Sequence, residues 1–189
     1  MNLVIFDLET TGLSPYANDI IQIAAVRVAS GNILSTESFS TYVNPGCSIP
    51  AFITSLTGIA DSHVRNAPDI ASALADFSRF ASDDVLLAHN GRRFDVPFIR
   101  EACSKRQLPT RSVLCSDSIS LSKQVWHGSR GHGLDAILDR LGLSTNGIRR
   151  HDARGDVELL AKAVLRMWRS LIPDCSSFPG PTFPGILPG

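Results

Sequence analysis

Near the N-terminus, Leu3-Val4-Ile5-Phe6-Asp7-Leu8-Glu9-Thr10-Thr11-Gly12 joins an apolar run to two acids. Leu3 to Phe6 is apolar at every position, as in a strand covered on both faces, so it predicts the middle strand of a sheet. By the period of two, Leu3, Ile5, Asp7 and Glu9 share one face, with about 6–7 Å between successive members. Two carboxylates therefore finish a row whose other members belong to a core. Working outward, Ile20 to Ala29 and Ile33 to Val43 are β-rich runs joined across Ser30-Gly31-Asn32, which supplies hairpin turn residues. Pro68 to Ala81 has helical spacing at Ile70, Leu74, Phe77 and Phe80, and Val85 to Ala88 is a short apolar strand ending at His89-Asn90-Gly91. A helix from Asp95, a short strand near Val113 to Cys115, a helix from Leu134 to Leu141 and a long helix from Ala153 to Leu171 follow. The order βββαβαβαα predicts an α/β fold with a central mixed sheet flanked by helices.

A chain of 189 residues with 43% hydrophobic content is long enough for one sizeable core. Residues 1–172 are expected to form the domain. Residues 173–189, rich in proline and glycine, are expected to be a flexible tail that sustains neither helix nor ladder. The formal net charge is zero, so any attraction for nucleic acid has to come from local placement of charge. Four scattered cysteines without a C-x-x-C pair argue against structural zinc and for a reducing compartment such as cytoplasm, nucleus or nucleoid. The apolar run at the N-terminus is too short for a membrane span, which points to a soluble protein with no membrane partner.

Acids on faces reserved for the core recur twice more. On the helix after Gly91, the stripe Phe98, Ile99, Ala102 and Cys103 extends back onto Asp95. On the last helix, Asp156 falls within the stripe Ala153, Val157, Leu160, Ala161, Val164 and Trp168. Each acid alone has a bland reading, since an acid near a helix N-terminus favours the dipole or caps a backbone amide. Four converging carboxylates repel one another strongly unless cations compensate, and oxygen ligands of this kind suit Mg²⁺ or Mn²⁺. His151 precedes Asp152, a plausible N-cap for the last helix, which puts the imidazole on the lip of the same site as a candidate base. Of the other histidines, His89 is expected to shape the loop before Asp95, while His63, His127 and His132 read as surface residues.

These residues resemble a known family. Phe6-Asp7-Leu8-Glu9-Thr10-Thr11-Gly12 is similar to the first motif of the DnaQ-like DEDDh exonucleases, His89-Asn90-Gly91-Arg92-Arg93-Phe94-Asp95 to the second, and His151-Asp152-Ala153-Arg154-Gly155-Asp156 to the third. The resemblance covers roughly residues 3 to 170 and is closest in wording to three-prime repair exonucleases and the proofreading exonuclease subunits of polymerases. It implies an RNase H-like fold and release of nucleoside monophosphates from a 3′ end, single-stranded DNA first among substrates. It implies Asp7, Glu9, Asp95 and Asp156 as ligands of two divalent ions, and His151 as general base. Thr10, Gly12 and Leu13 would line the pocket for the terminal sugar and base. Leu13 and Ile59 would make apolar contacts there, ordinary packing being the competing reading for both. Asn90 and Phe94 of the second motif go with them. Arg92, Arg93, Arg149, Arg150 and Arg154 are interleaved with the second and third motifs, where they could meet phosphates or simply be solvated. Two rivals stand beside this reading: an exonuclease that processes RNA 3′ ends, and a subunit that docks a polymerase through the Phe-Pro-Gly tail.

Overall fold

Leu3 to Phe6 are completely buried and form the first half of β1 (Leu3–Thr10), a central strand of the sheet. The computed structural model describes residues 2–148 and 151–189; Arg149 and Arg150, two of the arginines expected near phosphate, lie outside the described residues. β2 (Ile20–Ala29) runs antiparallel to β1, and β3 (Asn32–Tyr42) follows through a two-residue turn. Ser30 and Gly31 both have positive φ there, the hand that suits the twist of a hairpin. On the other side of β1, β4 (Val85–Ala88) and β5 (Thr110–Asp117) add in parallel, and β6 (Thr182–Pro188) ends the sheet antiparallel to β5. The order is β3-β2-β1-β4-β5-β6, a mixed sheet as the sequence predicts.

Helices cover both faces. α3 (Ile70–Ala81) and α4 (Asp95–Lys105) pack on the face carrying Val4, Phe6 and Leu86. On the opposite face, α5 (Ser118–Val125), α6 (Leu134–Arg140) and α7 (Ala153–Leu171) cover Leu3, Ile5, Ala24, Val26 and Leu87. Two short helices, α1 (Ala51–Thr57) and α2 (Asp61–Val64), sit over a small separate cluster of Ile21, Ile49, Ile53, Ile59 and Val64. The sequence reading lacks α1, α2 and α5, which are too short to show a full period of their own. Among the described residues no helix is long and apolar enough to cross a membrane.

The C-terminal segment corrects the expectation of a flexible tail. β6 pairs with β5 from Thr110↔Pro188 to Ser116↔Thr182. Proline removes a ladder donor and so is barred from interior strands, but an edge strand needs its donors on one side only. Gly185 lies so close to β5 that a Cβ there would stand 2.4 Å from Cys115 Sγ, so this glycine is a close-packing residue rather than a flexible one. Leu187 is fully buried in the α3/α4 core. Ahead of the strand, Ser177 O accepts from Trp168 Nε1 at 2.7 Å, and the Phe178 ring meets Trp168 edge-on.

Candidate active site

The β1–β2 register shifts between Glu9 and Thr10, a bulge-type irregularity after which Thr10 pairs with Ile20. Asp7 and Glu9 stand half-buried before this point, and Asp156, 8% exposed, enters from the first turn of α7. One carboxylate oxygen from each of Asp7, Glu9 and Asp156 lies within 4.8 Å of the others. Three carboxylates this close repel one another in a partly dry site, an arrangement stabilised by divalent cations with a preference for oxygen.

Asp95 stands behind this trio rather than in it. It is the first residue of α4, 1% exposed, and its carboxylate accepts the backbone N–H of Leu8, between Asp7 and Glu9 on β1. Burial pushes its carboxyl up to about 7; the hydrogen bonds from its own and the Leu8 backbone N–H pull the other way, and Asp117 adds to the rise. Its Oδ1 is buried without a hydrogen-bond partner. An orphaned, buried carboxylate oxygen on the residue that holds the backbone between Asp7 and Glu9 has the chemistry of a ligand for a hard divalent ion.

The loop before Asp95 is held by a residue the sequence reading did not single out. Asp117 accepts the backbone N–H of Asn90 at 3.2 Å, of Arg92 at 3.1 Å and of Ile119 at 2.9 Å. It caps α5 and the second motif together, so Asn90, at φ 58°, serves as a turn. His89 joins in as expected, its Nδ1 2.8 Å from Ser118 Oγ. His132 is half-buried against Ser122 Oγ rather than a surface residue.

His151 is exposed at the mouth of a cleft of about 440 Å³, with Asp7, Glu9 and Asp156 also in its wall. Its backbone N–H donates to Asp156 Oδ2 at 3.1 Å, which fixes the lip of the cleft to the acid below. Thr10, Gly12, Leu13 and Phe94 line the same cleft. Thr10 Oγ1 donates to Gly12 O at 2.6 Å, and Gly12 has room for no Cβ because Asn18 Oδ1 would stand 2.5 Å away. Leu13 is 85% exposed, so packing does not account for it. Phe52 (72% exposed) and Leu56 (40% exposed) stand in the cleft wall with it. Phe52 escapes the sequence reading. Its trace is that α1 is apolar on two sides: Ile53 and Thr57 turn inward, while Phe52 and Leu56, four apart, share the outer side.

Residues 4–164 match the family model RNase_T, described as Exonuclease. The chain belongs to this exonuclease family. A DNA polymerase III subunit epsilon-like protein of Rhodobacter capsulatus is 42% identical over 176 residues, 90% of this chain and 24% of that protein. A PolC-type DNA polymerase III of Streptococcus thermophilus is 39% identical over 155 residues, 82% of this chain and 10% of the polymerase. The chain thus spans a quarter or less of the length of these curated relatives. Among solved structures, the nuclease domain of 3′hExo, a DEDDh family member bound to rAMP, superposes with a TM-score of 0.78 at 19% identity, covering 95% of this chain and 96% of that one. Exonuclease X in complex with 5′ overhanging duplex DNA gives 0.69 at 23% identity, covering 89% and 92%. The fold is therefore that of the RNase H-like exonucleases, as the motifs imply.

Four expected substrate contacts lie elsewhere, Asn90 among them in the turn that Asp117 holds. Ile59 is 3% exposed within the small cluster under α1 and α2, so its role is packing. The Arg92 guanidinium lies 5.2 Å from the Phe183 ring centroid, over β6. Arg154 grips Asp152 with Nε at 2.9 Å and a second nitrogen at 2.7 Å, a contact that holds the Asp152 carboxyl below its usual range. Neither arginine lines the cleft, because a stacked or forked guanidinium already has a local partner.

Proposed function

We propose that this exonuclease shortens single-stranded or frayed DNA from its 3′ end, releasing nucleoside monophosphates. One observation carries the reading: exposed Leu13, Phe52 and Leu56 wall the cleft that holds Asp7, Glu9 and Asp156. Exposed aromatic and aliphatic side chains give stacking surface to any unpaired base, and the acids would collect the divalent cations that offset the phosphate charge. A volume of about 440 Å³ takes a splayed terminal nucleotide more readily than a stacked pair.

Two divalent ions, Mg²⁺ or Mn²⁺, held by Asp7, Glu9 and Asp156 with Asp95 behind them, would stabilise charge on the attacking and leaving oxygens of an in-line displacement. His151 at the lip takes a proton from the attacking water as its oxygen bonds to phosphorus. The bond to O3′ of the shortened strand breaks with its electron pair going to that oxygen, which takes a proton from solvent water and leaves as a hydroxyl, while His151 gives up its proton to solvent before the next cycle. Thr10, Gly12 and Leu13 hold the last sugar and base, so a free 3′ terminus is required.

Digestion of 5′-labelled oligonucleotides with a free or a phosphorylated 3′ end tests this. The wild type is expected to produce a ladder from the free end alone, and His151→Ala to slow it by about 10²–10⁴-fold with strand binding unchanged. Internal cuts, or equal rates on the blocked strand, would sink the reading. Weakened strand binding would make His151 a substrate contact instead of a base. Phe52→Ala is expected to raise the KM for single-stranded DNA roughly tenfold while kcat changes little, since one stacked base contributes about 1–3 kcal/mol. Steady-state kinetics on DNA and RNA strands of one sequence check this and show which sugar is preferred.

The polymerase III relatives support a proofreading role for such a domain. Residues 182–188 are hydrogen-bonded to β5 at the end of the sheet, so a polymerase docking at the C-terminal segment would meet an ordered edge strand and not a flexible tail.

A further inference from the structure

Gln22 is 1% exposed on β2, directly opposite Glu9 in the antiparallel register. It lies on the face whose next members are Ala24, Val26 and Val28, all buried against α7. An aliphatic side chain would complete that row, so a primary amide there needs partners for both its ends. It finds them on α7. Gln22 Oε1 accepts the backbone N–H of Ala153 at 3.1 Å, and Nε2 donates to Asp152 Oδ1 at 3.5 Å.

Both partners belong to the start of α7, where the first backbone N–H groups have no acceptor within the helix. Asp152 caps its own helix by accepting Arg154 N–H at 3.1 Å. The Ala153 N–H is left over, and a side chain from the sheet satisfies it. One residue before this cap is His151; three residues after Ala153 is Asp156, joined to the His151 backbone. Across the strand pair from Gln22 is Glu9. A single buried side chain therefore ties the strand beside one acid to the helix end that presents another acid and the histidine.

We propose that Gln22 is a positioning residue, which docks the N-terminus of α7 on β2 so that Asp156 and His151 face Asp7 and Glu9. The inference rests on the nuclease reading for its catalytic consequence, and on the Ala153 hydrogen bond alone for its structural one. The arrangement has the form of an outer partner that orients metal-binding side chains without touching substrate. Loss of such partners costs about 10–100-fold in ion affinity or activity.

Gln22→Met, of similar length, removes both hydrogen bonds; Gln22→Glu keeps an oxygen that can accept from Ala153 and, with its buried carboxyl held protonated against Asp152, an O–H that can donate there. Amide hydrogen exchange by NMR at Ala153, Mn²⁺ titration, melting temperature and steady-state kinetics are compared. In Gln22→Met, Ala153 protection is expected to drop, Mn²⁺ affinity and kcat to fall by about 10–100-fold, and the KM for the strand to stay within about twofold. Gln22→Glu is expected to recover the Ala153 protection and most of kcat, which a side chain that merely fills space would not. Unchanged kcat and Mn²⁺ affinity in a folded Gln22→Met protein would overturn the proposal. So would a fall in kcat that tracks melting temperature and is not recovered by Gln22→Glu. Should Gln22→Met not fold, a folded Gln22→Glu with Ala153 protected but kcat and Mn²⁺ affinity lost overturns it equally. A wild type that neither binds Mn²⁺ nor shortens a strand is a different result: it removes the nuclease reading and the site that Gln22 would serve.

Discussion

Asp95→Asn is expected to lower turnover by about 10⁴-fold or more and, in EDTA at pH 8, to raise the melting temperature. The first effect follows from losing one of the carboxylates proposed to hold the divalent ions, whose charge stabilisation would contribute several kcal/mol to the transition state. The second comes from the burial of Asp95, which lifts its carboxyl to about 7 from an ordinary 3.8. Between those values the folded protein keeps a proton that the unfolded chain has lost. The stability of the metal-free protein therefore falls as pH rises through this window and stays low above it. Asparagine removes the buried charge and retains an oxygen for the Leu8 N–H, so the variant should gain on the order of 2–4 kcal/mol at pH 8. That corresponds to roughly 5–15 °C for a chain of this length. At pH 4 the two proteins should melt close together. With Mn²⁺ present the order should reverse, since only the wild type gains the full stabilisation from binding. Melting curves at pH 4 and pH 8, with EDTA and with Mn²⁺, give all of these comparisons. Equal melting in EDTA at pH 8 would mean that Asp95 carries no buried charge, and normal turnover would take it out of the site.

The acids were legible because they break a rule that is local. Asp7, Glu9, Asp95 and Asp156 each sit at a position that strand or helix periodicity assigns to the interior, and a violation of that kind shows in a window of a few residues. The long elements were legible for the same reason: α3, α4 and α7 each carry enough turns to show a stripe, and the hairpin turn announces itself by Gly31. What stayed hidden depends on partners distant in sequence. Arg92 looked free to meet phosphate until Phe183 came beneath it, 91 positions along the chain. Ile59 reads the same as an apolar contact or as core, since only the fold decides which side of it is covered. Gln22 gives no signal alone, because its partners are the backbone N–H of Ala153 and the side chain of Asp152. The proline rule that dismissed residues 173–189 holds for interior strands, and an edge is defined only once the rest of the sheet exists.

A chain ending at Ile172 is expected to lose on the order of 5 kcal/mol or more, a large part of a typical domain's stability. Truncation uncovers the whole length of β5 and removes Leu187 from the core against α3 and α4. A fully buried leucine contributes about 1.5–3 kcal/mol, and Phe183 and Ile186, partly packed on the same core, add to it. Three polar groups lose acceptors at once: Trp168 Nε1 from Ser177 O, Ser78 Oγ from Pro188 O at 2.6 Å, and Ser116 Oγ from Pro181 O at 3.0 Å. Each buried donor left unsatisfied costs about 1–3 kcal/mol. The newly bare β5 is then a long strand edge open to pairing with other chains, so aggregation should accompany unfolding. The damage should reach the site as well, because Asp117 at the end of β5 holds the loop of Asn90 and Arg92, and Arg92 loses the ring it lies on. Gly185→Val probes the same contact by a single change, driving a side chain into Cys115 and forcing β6 off the sheet. Both variants should melt well below the full chain and lose amide protection along β5, measured by calorimetry and hydrogen exchange. A chain ending at Ile172 that melts within a few degrees of the full protein and cleaves at its rate would show β6 to be an appendage, as its composition first suggests.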